Sequence, residues 1–172
     1  MNAKYVQAVD YPTEVLPRPF IFLAGGIPGC RDWQAEMSQV LLKTLSQGTV
    51  FNPRRQIDWM DDANSKAQIT WEFTHLWKAD IIAFWFSRPT LNPTTLFEYG
   101  THLTRRRSGD PNAPQIAVGI DPGYARERGV RTQTRLIEPE LEIAGSLDAL
   151  AQRVAKIAAE WVMPDGAPRN AA

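Results

Sequence analysis

Two glutamates stand out by their surroundings. Glu72 lies in "WEFTHLW" and Glu98 in "NPTTLFEYG", on either side of the apolar run "DIIAFWFS". A pair of carboxylates suits glycosyl chemistry, in which one attacks or stabilises an oxocarbenium-like centre and the other manages the proton of the leaving group. Each also has a structural explanation. Thr95-Leu96-Phe97-Glu98 fits a capping box, the threonine and the glutamate satisfying each other's backbone N–H groups at a helix start. Glu72 fits a solvated helix surface, although Phe73 and Leu76 put it beside an apolar stripe. Gly25-Gly26-Ile27-Pro28-Gly29 is either a tight turn or an anion-binding turn in which glycines let backbone N–H groups approach a ligand. It is neither GxGxxG nor a Walker loop. Arg54 and Arg55 could reach an anionic group or face solvent. His75 and His102 lack carboxylate or cysteine partners at metal-ligand spacing, so no metal site is expected. Cys30 reads as an inert thiol. The flat faces of Trp33 and Trp59 suit a planar ligand, whereas Trp85 lies within an apolar run and reads as core.

These residues need elements to position them. "FIFLAGG" is a short apolar run ended by glycines, a buried strand. "DWQAEMSQVLLKTL" carries Trp33, Met37, Val40, Leu41 and Leu45 at helical spacing with Asp32 as N-cap. "TVFNP" is a second strand stopped by Pro53. "AQITWEFTHLW" places Ile69, Phe73, Leu76 and Trp77 on one helical face. "DIIAFWFS" is a third strand whose unbroken apolarity suggests burial on both faces. A helix over residues 95–107 ends in Arg105, Arg106 and Arg107, favourable charge at its C-terminus. "QIAVGID" is a fourth strand, 124–137 is partly helical, and "LEIAG" is a weak fifth strand. "SLDALAQRVAKIAAEW" is a helix capped by Ser146. This alternation predicts an α/β, three-layer, flavodoxin-like or Rossmann-like domain with a five-stranded parallel sheet of order 2-1-3-4-5. The domain spans 20–163, after an extended lead-in over 1–19 and before a disordered tail over 164–172. Ligands in such sheets bind beyond the carboxyl ends of the strands at the switch point, here between strands 1 and 3. The two unusual loops, "GGIPGCRD" and "SRPTLNPTTLFE", follow those two strands.

Composition narrows the classes. At 172 residues the chain is one domain with a sizeable core. Nineteen Lys and Arg balance nineteen Asp and Glu, so no overall field favours nucleic acid or an anionic membrane. One cysteine excludes an internal disulfide framework. No secretory signal and no apolar run long enough to span a bilayer is found, so a cytoplasmic protein is expected.

Three stretches, "FIFLAGGIPGCRD", "WEFTHLWKADIIAFWFS" and "NPTTLFEYG", resemble the nucleoside 2-deoxyribosyltransferase family, whose superfamily includes 2'-deoxynucleoside 5'-phosphate N-hydrolases. The likeness covers roughly residues 20–120. It implies cleavage or transfer at the N-glycosidic bond of a (deoxy)nucleoside or nucleotide. Glu98 matches the nucleophile that attacks C1' and forms a covalent glycosyl-enzyme, and Glu72 matches an aspartate that assists departure of the base. Asn92 stands where transferases carry an aspartate holding the 5'-hydroxyl and hydrolases a phosphate-binding serine. The loop with Gly25, Gly26, Ile27 and Gly29 would help hold the sugar or its 5' substituent. Phe22 stands where a transferase tyrosine orients the nucleophile.

The resemblance implies no metal or organic cofactor, and assembly as a homodimer or larger homo-oligomer. The chain departs from the family pattern at Glu72 (one methylene longer), Asn92, Phe22, Gly26 (for serine) and Pro28 (for arginine). Those departures keep two rivals in view: a nucleotide-binding sensor without turnover, and a hydrolase of another ribosylated metabolite such as a dinucleotide.

Overall fold

The computed structural model describes residues 3–55 and 61–161. Its centre is a parallel sheet of six strands: β1 Lys4–Gln7, β2 Phe20–Gly25, β3 Thr49–Asn52, β4 Ile81–Phe86, β5 Gln115–Ile120 and β6 Ile143–Ala144. Their order is β1-β3-β2-β4-β5-β6, with every pairing parallel. The expected five-strand order is present as β3-β2-β4-β5-β6. The sixth strand comes from the segment expected as a lead-in, where Lys4–Gln7 pairs with Thr49–Asn52. Only Val6 of that strand is buried, so the sequence carries too little apolar alternation to announce it.

Five helices cover the faces: α1 Trp33–Thr44, α2 Asp62–Lys78, α3 Pro93–Arg107, α4 Glu127–Ile137 and α5 Leu147–Trp161. Side chains alternate along each strand, so the two faces bury separate cores. Ile21, Leu23, Ile81, Ala83 and Trp85 meet Trp33, Met37 and Leu41 of α1 and Leu150 and Val154 of α5. Phe22, Ala24, Ile82, Phe84 and Phe86 meet Trp71 of α2, Tyr99 and Leu103 of α3 and Val130 of α4. Asp32 caps α1 by accepting from Ala35 N at 3.0 Å, and Ser146 caps α5 by accepting from Ala149 N at 3.2 Å.

Two helices differ from expectation in ways that matter for the site. The buried face of α2 consists of Gln68, Trp71, His75 and Leu76, while Ile69, Phe73 and Trp77 are 59%, 61% and 44% exposed. Aromatic packing decides the face: Trp71 lies against Phe22 and Phe51, and His75 stacks on Trp71 at 4.1 Å. The polar atoms on that face find partners, Gln68 Nε2 donating to Pro53 O and His75 Nδ1 bonding Trp71 O. Val40 of α1 likewise faces solvent.

Helix α3 begins at Pro93 rather than at residue 95. Its N-cap is Asn92, in the left-handed conformation at φ 48°, ψ 53°, with no side-chain cap bond. Proline is pre-organised for a first helical position, and asparagine tolerates the left-handed turn before it. Thr95 therefore lies inside the first turn, and the capping box with Glu98 does not form. The expected tail and Trp59 lie outside the described residues. Among the described residues no helix is long and apolar enough to cross a membrane.

Candidate active site

A cavity of about 420 Å³ opens at the carboxyl ends of β2 and β4. Phe22, Ala24, Gly25, Gly26, Ile27 and Pro28 form one wall, Pro53 and Glu72 a second, and Thr90, Asn92, Pro93, Thr94, Thr95 and Glu98 a third. Two larger hollows, of about 740 and 720 Å³, lie at the opposite ends of β4 and β5 and beside β6. Much of their charge is paired internally, as Arg18–Asp80, Arg106–Glu138 and Arg153–Glu142. The smaller cavity instead holds two carboxylates, and no lysine or arginine lines it among the described residues.

Both glutamates reach it because α2 and α3 lie side by side on the same face of the sheet. Freed from capping, Glu98 sits in the second turn of α3. Burial, and then the charge of Glu72, push its carboxyl up to about 8. Burial also raises Glu72, opposed by a hydrogen bond from Gln68 and the positive charge of Arg55. Gln68 Nε2 donates to Glu72 Oε1 at 2.6 Å and to Pro53 O at 2.6 Å, while Arg55 Nε donates to Gln68 Oε1 at 2.7 Å. Of the two, Glu98 is the stronger proton holder, and the bond from Gln68 and the charge of Arg55 make Glu72 the better supported anion.

Neither arginine after β3 faces solvent freely. Arg55 holds Gln68, and Arg54 pairs with Asp32 at 3.2 Å and donates to Gln34 Oε1 at 2.9 Å. Both are occupied in bracing the walls rather than waiting for an anion.

Asn92 lines the cavity but is only 4% exposed. Its Nδ2 donates to Ser87 O at 2.9 Å and Thr90 O at 3.0 Å, and its Oδ1 accepts from Thr90 Oγ1 at 2.9 Å. The amide thus ties its own loop together. Gly26 is the counterpart: a Cβ there would stand 2.0 Å from Asn92 Oδ1 and 2.9 Å from Cys30 Sγ. The serine of the resembled loop has no room beside this asparagine.

Phe22, Gly25, Gly26 and Ile27 line the cavity, with Phe22 as an apolar wall. Trp33 does not. It is fully buried on the other side of the sheet, where its Nε1 donates to Gly26 O at 3.0 Å and holds the loop from behind. Gly29 also stays off the cavity wall; at φ +70° it makes the turn that returns the loop to α1. Trp85 is core. Thr90, Pro53 and Gln68 were not singled out by sequence. Gln68 precedes Glu72 by one helical turn, and that i, i+4 spacing was a readable signal. Among the described residues, no group of three or more His, Cys, Asp or Glu side chains is gathered for a metal ion.

No individual curated protein matches the chain. Residues 18–108 match the model of a family described as nucleoside 2-deoxyribosyltransferase like. That stretch runs from β2 through α3, carries both glutamates and both cavity loops, and makes up more than half of the chain. By that match the protein belongs to the nucleoside 2-deoxyribosyltransferase-like family.

Proposed function

We propose that this protein breaks the N-glycosidic bond of a nucleoside, transferring the sugar to a second base or to water. The observation that carries the reading is one cavity, at the switch point of a parallel sheet, lined by the carboxylates of Glu72 and Glu98. Apolar walls from Phe22, Ile27, Pro28 and Pro53 suit a base and a deoxyribose.

Glu98 is the nucleophile. Its carboxylate oxygen bonds to C1' as the C1'–N bond breaks, the electron pair passing to the base nitrogen. Glu72 delivers a proton to the departing base and becomes a carboxylate. In the second half, Glu72 takes a proton from water or from the incoming base, whose oxygen or nitrogen bonds to C1' and releases Glu98. The resting proton on Glu98 must therefore leave before attack. Transfer to Glu72, across a pair that titrates jointly, puts both groups in the working state.

A second reading is a binding module without turnover. Two observations favour it: burial and the charge of Glu72 push the Glu98 carboxyl up to about 8, and Phe22 offers no hydroxyl to orient the nucleophile. Incubation with the four 2'-deoxynucleosides, read as released base, separates the two. Release that disappears in Glu98→Ala supports the enzyme, whereas release that survives this change excludes Glu98 as nucleophile. Binding without release in the wild type supports the module. A second free base added to the reaction distinguishes transfer from hydrolysis by the appearance of an exchanged nucleoside.

Self-association accompanies this reading. Ile69, Phe73 and Trp77 form a stripe along α2 at successive turns, and Phe97 of α3 is 77% exposed. Large apolar side chains arranged on neighbouring helices mark an interaction surface. A second copy of the chain is the occupant we infer.

A further inference from the structure

We propose that Gln68, held in one orientation by Arg55, is a positioning residue that clasps Glu72 Oε1 and so makes Glu72 Oε2 the atom that exchanges a proton with the base. This inference rests on the enzyme reading of the cavity and adds to it a residue that does not touch the substrate.

Gln68 is 1% exposed and does not line the cavity. It stands one helical turn before Glu72 on α2. Every polar atom of its amide is engaged. Oε1 accepts from Arg55 Nε at 2.7 Å, and Nε2 donates to Pro53 O and to Glu72 Oε1, each at 2.6 Å. A guanidinium only donates and a carbonyl oxygen only accepts, so turning the amide over would break all three bonds. Its N–H is therefore fixed on the carboxylate. Arg55 is itself anchored, its Nη2 donating to Asn64 O at 3.3 Å in the first turn of α2.

A glutamate carries its carboxyl on three rotatable torsions, and left free it spreads over several rotamers. The clasp selects one. With an N–H directed at Oε1, a proton on Glu72 belongs on Oε2, which has no hydrogen-bond partner among the described residues. As the C1'–N bond breaks, the proton leaves Oε2 for the base nitrogen, and the Gln68 amide meets the charge left on the carboxylate. In the second half, Oε2 takes a proton from water or from the incoming base. Among the described residues, the charged groups that face Glu72 are Arg55, from the segment after β3, and Glu98, from α3. One turn away on α2 itself stand Gln68, Ile69, His75 and Leu76. Burial lowers the His75 value, so near neutral pH that ring adds no charge.

Two readouts keep this apart from the enzyme reading. Carboxyl-carbon NMR of the glutamates, titrated without substrate, reports where the proton of the pair sits, and base release from 2'-deoxynucleosides reports turnover. Gln68→Met keeps the length of the side chain and removes the donor. In that variant the share of the proton on Glu72 relative to Glu98 is expected to rise about 10-fold, the effect of losing one hydrogen bond to a charged group. The freed torsions should outweigh this more frequent protonation, so kcat is expected to fall about 10-fold with KM within about twofold of the wild type. Arg55→Met is expected to move the proton in the same direction, and Arg55→Lys, which keeps a donor and the charge, to leave it in place. Where Gln68→Met fails to fold, the wild type still decides: the Gln68 side-chain amide signals should move with the titration of Glu72. Amide signals that ignore that titration, an unmoved proton in Gln68→Met, or a loss in KM rather than kcat overturns the clasp. A wild type that releases no base removes the enzyme reading instead, and the titration still decides whether Gln68 holds Glu72.

Discussion

Replacing Glu98 by glutamine should make the protein more stable at alkaline pH while removing its proposed nucleophile. Glutamine mimics the protonated carboxyl in size and hydrogen bonding but cannot ionise. In the folded protein the Glu98 carboxyl is raised to about 8 from its ordinary 4.5, first by burial and then by Glu72. Between these two values the folded state binds more protons than the unfolded state, so stability falls as pH rises. The contribution is complete below about 4.5, and it is lost once the pH has passed about 8. Over those roughly 3.5 pH units, at about 1.4 kcal/mol each, the full loss is on the order of 5 kcal/mol. Glu98→Gln should therefore match the wild type near pH 4.5 and exceed it by that amount at pH 9. For a chain of 172 residues, the gap corresponds to on the order of 10 °C in Tm. Urea unfolding of both proteins from pH 4 to 9 measures it. Taking the difference between them cancels groups of opposite sign, such as His102, whose value is lowered to about 4 by burial and by Arg105. A wild type that matches Glu98→Gln at every pH would show that water reaches this carboxyl freely. The paired, desolvated site would then be wrong.

Further expectations concern the same walls. Because the mechanism needs one proton on the pair, kcat/KM should fall as pH rises through about 8 and the free enzyme loses that proton; a profile that goes on rising above that value would show that Glu72 supplies no proton to the base. Gly26→Ala puts a Cβ 2.0 Å from Asn92 Oδ1 and should cost about 1–3 kcal/mol of stability in urea unfolding. Adding Asn92→Gly should recover part of that loss, and strictly additive losses would argue that the two do not collide. Ile69→Lys with Phe73→Glu should yield a monomer by analytical ultracentrifugation, where an unchanged oligomer would place the interface elsewhere.

The sequence alone determined the alternation of strands and helices, the order of the five principal strands, and the two loops that meet at the switch point. These follow from local signals: apolar runs, 3.6-residue spacing and glycine or proline stops, each contained within one element. The sixth strand escaped because its pairing with β3 depends on partners far along the chain rather than on its own composition. The same limit applied to α2, where Ile69, Phe73 and Trp77 have the right spacing for a buried face. Trp71 and His75 occupy that face because Phe22 and Phe51 of the sheet are there to receive them.

At the site, the types of the residues were legible and their commitments were not. Sequence could not choose between cap and reactive carboxylate for Glu98. Pro93 and the left-handed Asn92 chose, by starting the helix two residues early. Trp33 had the right chemistry for stacking on a base, but packs behind the loop. Asn92 had the right chemistry for a sugar, but its hydrogen bonds are used within its own loop. A hydrogen-bonding group has few directions to offer, and only the tertiary structure decides which of them remain for a ligand.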